Sequence, residues 1–265
     1  MIVAQISDLH VMREDRLAYG ALDTQACLQR AIGRLNDLVP RPDVVAITGD
    51  LVDEGSAREY ARLRECLDGL RLPYRLVPGN HDARGPLREA FPEQPWDDAE
   101  PGFCLFAEQF GDVLVVGLDS LDPGRTAGRL CARRLAWLDR VLAARAGRPS
   151  LVMVHHPPFA TGIAHLDGLP MAGSQEMLEI AARHGGVQRV VAGHVHRSMG
   201  AQPLGVACTT CPSTAHHFAL DLEPGMRARW IPEPPGFQLH LLAPGATPVT
   251  HTGFIEDYGA RPTKP

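Results

Sequence analysis

The sequence lacks the features that mark several other classes of protein. No apolar run is long enough to span a bilayer, and no charged segment leads into an apolar stretch near the start, so we expect no membrane partner and no secretory leader. The six cysteines have no framework spacing, which predicts reduced thiols and a cytoplasmic location. With a net charge of −5 and no long basic run, the chain shows no electrostatic footprint for a nucleic acid polymer.

What the sequence does contain is typical of an α/β (α+β) protein. With 265 residues and 45% hydrophobic content, the chain can bury one substantial core. Short β-branched runs, bounded by Gly, Pro or a charged residue, predict buried strands. They are MIVAQIS, DVVAIT, YRLVP, SLVMV and VQRVVA. Because helical patterns alternate with these strands and a hairpin-rich tail follows, we predict two stacked mixed sheets flanked by helices.

The helices are predicted from apolar spacing and from capping residues. Asp23 and Ser56 are suitable N-caps for the first two helices. The helical patterns cover 21–38, 56–70, 129–147 and 174–186. Between the second and third, two apolar runs joined at Gly111-Asp112 predict a hairpin. We expect surface loops at 12–20, 86–102 and 160–172, irregular edge strands from Asp221 onward, and a mobile tail, GARPTKP.

Metal-binding side chains follow all five predicted strands, in short groups. The groups are Asp8-Leu9-His10, Gly49-Asp50, Gly79-Asn80-His81-Asp82, His155-His156 and Gly193-His194-Val195-His196. A lone Asp after a strand is usually a turn or cap residue, but the carboxyl ends of strands are where α/β sheets build their sites. Oxygen and imidazole ligands without thiolates suit Zn, Mn, Fe or Co, and seven of them fit two ions that share a carboxylate.

The spacing within these groups adds geometric expectations. Residues i and i+2 of an extended segment face the same way, so Asp8 and His10 are expected to bind one ion, and so are His194 and His196. His156 should then lie behind His155, on the cavity wall. The glycines that precede the ligands predict unusual backbone angles or a close approach to the site.

The order of these groups resembles that of the calcineurin-like metallophosphoesterases, from Ile2 to about Ser213. The motifs that carry the resemblance are D-x-H, G-D-x-x-D, G-N-H-D, H and G-H-x-H. Within that family, HHPPF, GHVHRS and CPSTAHHFALD resemble the bacterial phosphodiesterases of cyclic nucleotides and glycerophosphodiesters. The resemblance implies a four-layer α/β/β/α sandwich. We therefore predict a metallophosphoesterase domain at 1–220 and a Pro/Gly-rich extension at 221–265, which would pack on the domain as a lid or a dimer contact.

The resemblance also implies the roles of individual residues. One metal site would comprise Asp8, His10, Asp50 and His196, and the second Asp50, Asn80, His155 and His194, with Asp50 as the bridge. A metal-bound hydroxide would attack the phosphodiester, and His81 would protonate the leaving alkoxide. Asn80, His81 and His216 would contact the substrate. Asp53 and Asp82 would orient the ligands or His81.

Other functions of the same scaffold remain open from the sequence. Glu54 stands where protein phosphatases have Arg, and Asp53 where purple acid phosphatases have Tyr, which disfavours both branches. A phosphomonoesterase or a nuclease is the alternative, although no basic track for a nuclease is visible. A non-catalytic binding scaffold is disfavoured because all seven ligands and His81 are present. The resemblance further implies a homo-oligomer, a dimer or larger.

Some candidate residues have two interpretations each. Cys208 and Cys211 form a C-x-x-C pattern, but no second pair or histidine pair accompanies them, so we predict structural thiols. Tyr19, Phe159 and His165 would either stack on a base or simply pack their loops. His165, His184, His240 and His251 are expected in loops or near the chain ends, without an assigned role.

Overall fold

The structure is a computed structural model that describes residues 1–14, 16–223 and 225–259. The helices are α1 Thr24–Asn36, α2 Ala57–Leu67, α3 Arg84–Ala90, α4 Ala132–Ala143, α5 Ala164–Asp167 and α6 Ser174–His184. The strands are β1 Ile2–Ile6, β2 Val44–Thr48, β3 Tyr74–Val77, β4 Phe106–Phe110, β5 Val113–Leu118, β6 Ser150–Val154, β7 Val187–Ala192, β8 Met199–Ala201, β9 Cys208–Thr210, β10 His217–Phe218, β11 Trp230–Ile231, β12 Gly236–Leu241 and β13 Val249–Phe254. All five predicted strands that precede the metal-binding groups are confirmed.

The predicted caps of the first two helices are also confirmed. The Asp23 side chain accepts a hydrogen bond from the backbone N of Ala26 at the start of α1. Ser56 and Glu59 form a reciprocal capping box on α2. These caps satisfy backbone N–H groups that have no partner inside the helix, so they fix where each helix begins.

Two large mixed sheets form the centre of the molecule. One has the order β13-β12-β1-β2-β3, and the other has the order β4-β5-β6-β7-β9-β8. Strands β1, β2 and β3 are parallel, as are β5, β6, β7 and β9. The predicted hairpin is confirmed, because β4 and β5 pair antiparallel across Gly111-Asp112. Parallel strands end at the same edge of a sheet, which brings the groups that follow β1, β2 and β3 together.

The alternation of side chains in the second sheet explains the layers. Val115 and Met153 pack into the cluster between the sheets, whereas Val116 and Val152 pack outward against Trp137 of α4 and its neighbours. Helices α1 and α2 cover the first sheet through their own buried apolar faces. The predicted α/β architecture, with two mixed sheets flanked by helices, is therefore confirmed.

Three expectations about the connecting segments were wrong. The stretch 86–102 is not simply a surface loop, because α3 enters it and because Phe91 and Trp96 are buried in the apolar cluster that also contains residues of the first sheet. The stretch 160–172 contains the short helix α5. His240 is not in a loop, because it is a fully buried residue of β12.

The C-terminal segment is more regular than expected. Strand β12 lies between β1 and β13, where it pairs with both, so β12 is an inner strand and β13 forms the edge on this side of the sheet. Apolar Phe237 of β12 is buried in the inner core. The tail expected to be mobile lies outside the described residues, apart from its first residue, Gly259. Within the described ranges, no helix is both long enough and apolar enough to cross a membrane.

Candidate metal centre

The ends of five strands from both sheets meet at one place and are joined by backbone hydrogen bonds. The backbone N of Asp8 donates to the carbonyl of Gly49 (3.1 Å), and the backbone N of His10 donates to the carbonyl of Asp50 (2.9 Å). Across the two sheets, the backbone N of His194 donates to the Asp8 carboxylate at 2.9 Å. The metal-binding groups, although distant in the chain, therefore share one fixed framework.

The side chains form two adjoining clusters. One contains Asp8, His10, Asp50 and His196, and the other contains His155, His156 and His194, with the ligand atoms of each cluster within 4.8 Å of one another. Every one of these residues is buried. Asn80 joins the second cluster, because its Oδ1 lies 3.2 Å from Nε2 of His155. Asp50 lies between the clusters, with its Oδ2 3.4 Å from His155 Nε2 and 3.7 Å from His10 Nε2.

The simple i, i+2 rule fails for His194 and His196. The two side chains enter different clusters, His194 beside His155 and His196 beside Asp8. The rule assumes an extended backbone, but both residues have left-handed backbone angles, with φ of 71° and 53°. The assignment implied by the family resemblance, with one histidine for each cluster, agrees with this geometry.

Backbone strain is concentrated in the ligand residues. Asp8, His10, Asp50, His194 and His196 all have positive φ values, between 44° and 71°. Residues other than glycine rarely adopt this conformation, and each instance costs of order 1–3 kcal/mol. The surrounding hydrogen bonds hold five strained residues in a single buried site, which is the pattern expected of a functional site.

The predicted role of the glycines is supported by close approaches. A Cβ atom on Gly79 would lie 2.2 Å from Oδ1 of Asp50, and one on Gly193 would lie 1.9 Å from Oγ of Ser7. Gly49 has a φ of 85°, and a Cβ there would lie 2.5 Å from Nδ1 of His155. Any larger residue would displace a ligand or its support.

The hydrogen bonds of the histidines direct free nitrogen lone pairs into the site. Nδ1 of His155 lies 2.8 Å from the Thr48 carbonyl, and Nδ1 of His196 lies 3.0 Å from the His216 carbonyl. A carbonyl can only accept, so each Nδ1 carries the proton and each Nε2 is free to bind a cation. Nε2 of His194 is buried and has no hydrogen-bond partner among the described residues. Buried orphan nitrogens beside carboxylates fit divalent metal ions.

The pKa values show how strongly the charges interact. Burial lowers the pKa of the His155 imidazole, but the Asp50 and Asp8 carboxylates and the Thr48 carbonyl together raise it by more, to about 9. Burial lowers the pKa of His194 to about 3, and burial raises the pKa of Asp8 to about 6. A cation at this position would take the place of the His155 proton.

His156 meets the distance criterion for a ligand, but both of its ring nitrogens are occupied. Nε2 lies 3.0 Å from the carbonyl of Thr126 and Nδ1 lies 2.8 Å from Oγ of Ser120. The ring also packs against Gly128, where a Cβ would approach it to 2.4 Å. His156 therefore supports the rings of its two neighbours from behind, in agreement with the expectation from strand geometry.

Of the two acidic residues expected to orient the ligands or His81, Asp53 contacts His10 and His81, and Asp82 holds the loop beside them. Nδ1 of His81 lies 2.7 Å from the backbone carbonyl of Asp53, and the Asp53 carboxylate lies 3.5 Å from Nδ1 of His10. The Asp82 carboxylate accepts from the backbone N of Gly79 at 2.8 Å and from the hydroxyl of Tyr60 at 2.8 Å. Asp82 thus fixes the loop that carries Asn80 and His81.

A cavity of about 370 Å³ opens onto both clusters. Its lining residues are His10, Met12, Ala18, Tyr19, Asp50, Asp53, Asn80, His81, Thr126, His165, Leu166, Leu169, His194, His196, His216, Phe218 and Ala228. The Tyr19 hydroxyl lies 3.0 Å from Nε2 of His216, and Tyr19 stacks on Trp230. Phe159 lines a neighbouring cavity instead. The structure thus places His81, His216 and His165 around one space beside the ligand clusters.

Several supporting residues could not be found from the sequence. Tyr60 lies on the buried face of α2, and Ser120 and Thr126 flank the segment after β5, without any motif. Their roles depend on contacts between residues far apart in the chain, and no local signal records them. Conversely, Cys208 and Cys211 are free and buried, as predicted for structural thiols.

Comparison with known proteins agrees with the geometry. Residues 1–198 match the calcineurin-like phosphoesterase family. A probable glycerophosphodiester phosphodiesterase of Arcobacter nitrofigilis is 34% identical over 256 residues, covering 96% of this chain and 93% of the relative. A probable cyclic nucleotide phosphodiesterase of Rhodopseudomonas palustris is 34% identical over 235 residues, covering 88% of this chain and 85% of the relative.

Two further comparisons extend this result. A 3′,5′-cyclic adenosine monophosphate phosphodiesterase of Pseudomonas aeruginosa is 30% identical over 248 residues, covering 92% of this chain and 83% of the relative. The crystal structure of a dimetal phosphatase from Danio rerio has a TM-score of 0.68 at 15% identity, covering 94% of this chain and 98% of that structure's chain. This likeness shows the shared fold alone. The chain belongs to the calcineurin-like phosphoesterase family.

Proposed function

We propose that this protein is a metal-dependent phosphodiesterase that hydrolyses small phosphodiesters, either glycerophosphodiesters or 3′,5′-cyclic nucleotides. The observation that carries the proposal is the cavity beside two buried ligand clusters, with His81 on its wall. One relative named for each substrate class is 34% identical to this chain, over 256 and 235 residues respectively. The proposal therefore covers both classes, and the experiment below separates them.

We propose further that the clusters hold two divalent ions. Asp8, His10, Asp50 and His196 would hold one, and Asp50, Asn80, His155 and His194 the other. Fe, Mn, Zn and Co all suit this donor set of carboxylate, amide and imidazole. When bound, such ions polarise phosphoryl oxygens and lower the pKa of a coordinated water.

His81 is proposed as the general acid. Its side chain is 39% exposed and faces the cavity, and its ring lies 4.7 Å from that of His10. The Asp53 carbonyl accepts from Nδ1–H, so in the imidazolium form Nε2–H would donate its proton to the departing alkoxide and leave the neutral ring. An alkoxide is a poor leaving group, so a positioned proton donor is worth about 10²–10⁴-fold in rate.

Asn80, His81 and His216 are proposed to contact the substrate. Asn80 and His216 line the same cavity as His81. Burial lowers the pKa of His216 to about 3, so the ring is neutral at physiological pH. As a neutral group hydrogen-bonded to Tyr19, His216 can orient a substrate oxygen without adding charge.

The proposal is tested by rates on protein reconstituted with Mn, Zn, Co or Fe. The substrates are bis(p-nitrophenyl) phosphate, p-nitrophenyl phosphate, 3′,5′-cyclic AMP and glycerophosphoethanolamine. Metal-dependent cleavage of diesters well above the monoester is expected, and the better natural diester identifies the substrate class. Preference for the monoester would indicate a phosphomonoesterase, and inactivity with every metal would indicate a binding scaffold.

The remaining proposals concern organisation and location. We propose residues 1–220 as the catalytic domain and 221–265 as an extension of it, because residues 238–241 of β12 pair with β1. All six cysteines are free, which supports the proposed cytoplasmic location. A homo-oligomer is proposed from family resemblance, and light scattering tests it.

A further inference from the structure

A third group of metal-binding side chains lies beside the two clusters. It consists of His10, Asp53 and His81, whose ligand atoms lie within 4.8 Å of one another. Oδ1 of Asp53 is 3.5 Å from Nδ1 of His10 and 3.8 Å from Nδ1 of His81. Two ligand atoms of a tetrahedral zinc ion, each about 2.1 Å from the metal, lie about 3.4 Å apart. The Asp53 carboxylate and the two imidazoles are therefore spaced close to the geometry of a zinc site.

This third group is open to solvent, whereas the residues of the two clusters are buried. The side chains of His81 and Asp53 are 39% and 27% exposed, and both residues line the cavity. An ion from solution can therefore reach the Asp53 carboxylate and the His81 ring without any opening of the fold. Two imidazoles and one carboxylate, with water in the fourth position, are a ligand set that proteins use for zinc.

Binding of an ion to this group changes the protons on both rings. Nδ1 of His81 donates to the Asp53 carbonyl at 2.7 Å, so its proton moves to Nε2 when an ion takes Nδ1. Nε2 of His10 faces the first cluster, 3.3 Å from Nε2 of His196. With an ion at each nitrogen, His10 becomes a bridging imidazolate and releases its N–H proton to the solvent. Because this deprotonation opposes binding, the third ion should bind more weakly than the two ions proposed for the clusters.

From these observations we propose that His10, Asp53 and His81 form a third, inhibitory site for a zinc ion. The binding site goes beyond the proposed phosphodiesterase function, and its inhibitory effect rests on that function. As a general acid, His81 carries a proton on each ring nitrogen, and an ion at Nδ1 takes the place of one of them. Excess zinc therefore removes the proton donor while both clusters remain filled.

Counting of bound ions tests the site without turnover. Equilibrium dialysis of the full chain against increasing zinc should give three ions per chain, the third at the highest free concentration. Asp53→Asn and His81→Ala should each bind two ions over the same range. Glu54→Gln is the matched control, because this neighbouring carboxylate is 46% exposed and faces Arg13 and Arg16 instead, so all three ions should bind. Two ions in the wild type, or a third ion that both variants retain, would overturn the inference.

Rates measured over the same zinc range test the inhibition. Hydrolysis of glycerophosphoethanolamine should rise as the first two ions bind and then fall by about 10²-fold as the third binds, since general acid catalysis is lost. Hydrolysis of bis(p-nitrophenyl) phosphate should fall far less, because its leaving group needs little protonation. A third ion that leaves both rates unchanged, or lowers both equally, would overturn the inhibitory role. A wild type that cleaves no diester with any metal would instead overturn the proposed function, and the number of bound ions would still decide the third site.

Discussion

Two buried histidines in this molecule have similar pKa values but opposite surroundings. Burial lowers the pKa of both His194 and His240 to about 3. His240 is fully paired, since its Nε2 lies 2.9 Å from Oε1 of Gln5 and its Nδ1 lies 2.9 Å from the hydroxyl of Thr250. His194 keeps a buried Nε2 with no partner among the described residues.

The same contrast separates the two regions around them. Near His240, the Gln5 amide also donates to the Thr48 hydroxyl and to the carbonyl of Ala192, both at 2.9 Å, and links the two sheets. Near His194, five residues are strained, and Nε2 of His10 and Nε2 of His196 lie 3.3 Å apart. A satisfied polar network stabilises the fold, whereas strained and unpaired groups indicate a region prepared for a ligand.

The largest effect is expected from Asp50→Asn, which removes the carboxylate between the clusters. Metal content should fall, and diester hydrolysis should drop by about 10³-fold or more, because bound ions contribute several kcal/mol to charge stabilisation. Adding metal should no longer raise the melting temperature, whereas saturation at 100 times Kd should stabilise the wild type by about 2.7 kcal/mol. Elemental analysis measures the metal content, and thermal unfolding measures the effect of added metal on the melting temperature. Asp37→Asn, on the exposed end of α1, is the control, and full metal content in Asp50→Asn would contradict the bridging position.

His81→Ala tests a residue at the open side of the same region. The variant should retain its metals but lose about 10²–10⁴-fold on a diester with an alkyl leaving group, since general acid catalysis is lost. Bis(p-nitrophenyl) phosphate needs little protonation of its leaving group, so its rate should fall far less. Steady-state rates on both substrates decide the matter, and equal losses would refute the role of His81 as the acid.

Gln5→Leu tests the satisfied region in the opposite way. The change leaves the Nε2–H of His240 and the carbonyl of Ala192 unpaired, so the free energy of unfolding should fall by about 2–4 kcal/mol. Metal content and the diester rate at 25 °C should stay within about threefold of the wild type, a change of less than 1 kcal/mol. Urea unfolding in the presence of a chelator measures the free energy of unfolding. A large loss of metal with normal stability would show that Gln5 supports the metal site and not the fold.

The pH dependence of stability distinguishes His240 from its surroundings. Because its folded-state pKa of about 3 is below the ordinary 6.5, the unfolded chain binds the proton first as the pH falls. Stability is therefore lost below pH 6.5, at about 1.4 kcal/mol per pH unit for one group. His240→Gln replaces the ring by an amide that does not titrate. Between pH 6.5 and 5, the free energy of unfolding of this variant should fall by about 2 kcal/mol less than that of the wild type. Urea unfolding of the metal-free proteins at these two pH values provides the comparison, and parallel curves would disprove the assignment.

The smallest effect is expected from Ser120→Ala, which frees Nδ1 of His156. The ring should reorient against His155 and His194, and metal affinity or activity should fall by about 10-fold, at the low end for residues that support ligands. Ser150→Ala, at the opposite end of β6, removes a similar hydroxyl and should leave both properties unchanged. Metal titration monitored by activity measures the difference, and identical titrations for the two variants would show that Ser120 does not position the site.

The candidate site was largely predictable because its ligands lie next to recognisable strands in the sequence. Each group of ligands directly follows an apolar run, so strand assignment alone places them at the carboxyl ends of the sheets. The capping residues Asp23 and Ser56 were equally predictable, because a cap acts on backbone groups three residues away. The division of His194 and His196 between clusters was not predictable from spacing, since the rule depends on a backbone conformation that strain has changed.

By itself, the sequence determined the five strands that precede the ligand groups, the order of those groups and the membership of the family, because apolar periodicity and motif order are properties of consecutive residues. Only the tertiary structure decided which nitrogen of each histidine is free, that His156 supports the site from behind, and that His194 has a buried nitrogen without a partner among the described residues. It also decided that β12 completes the first sheet beside β1, at the other end of the chain. The physical reason is that hydrogen-bond satisfaction and burial depend on neighbours brought together by folding, which no local pattern encodes.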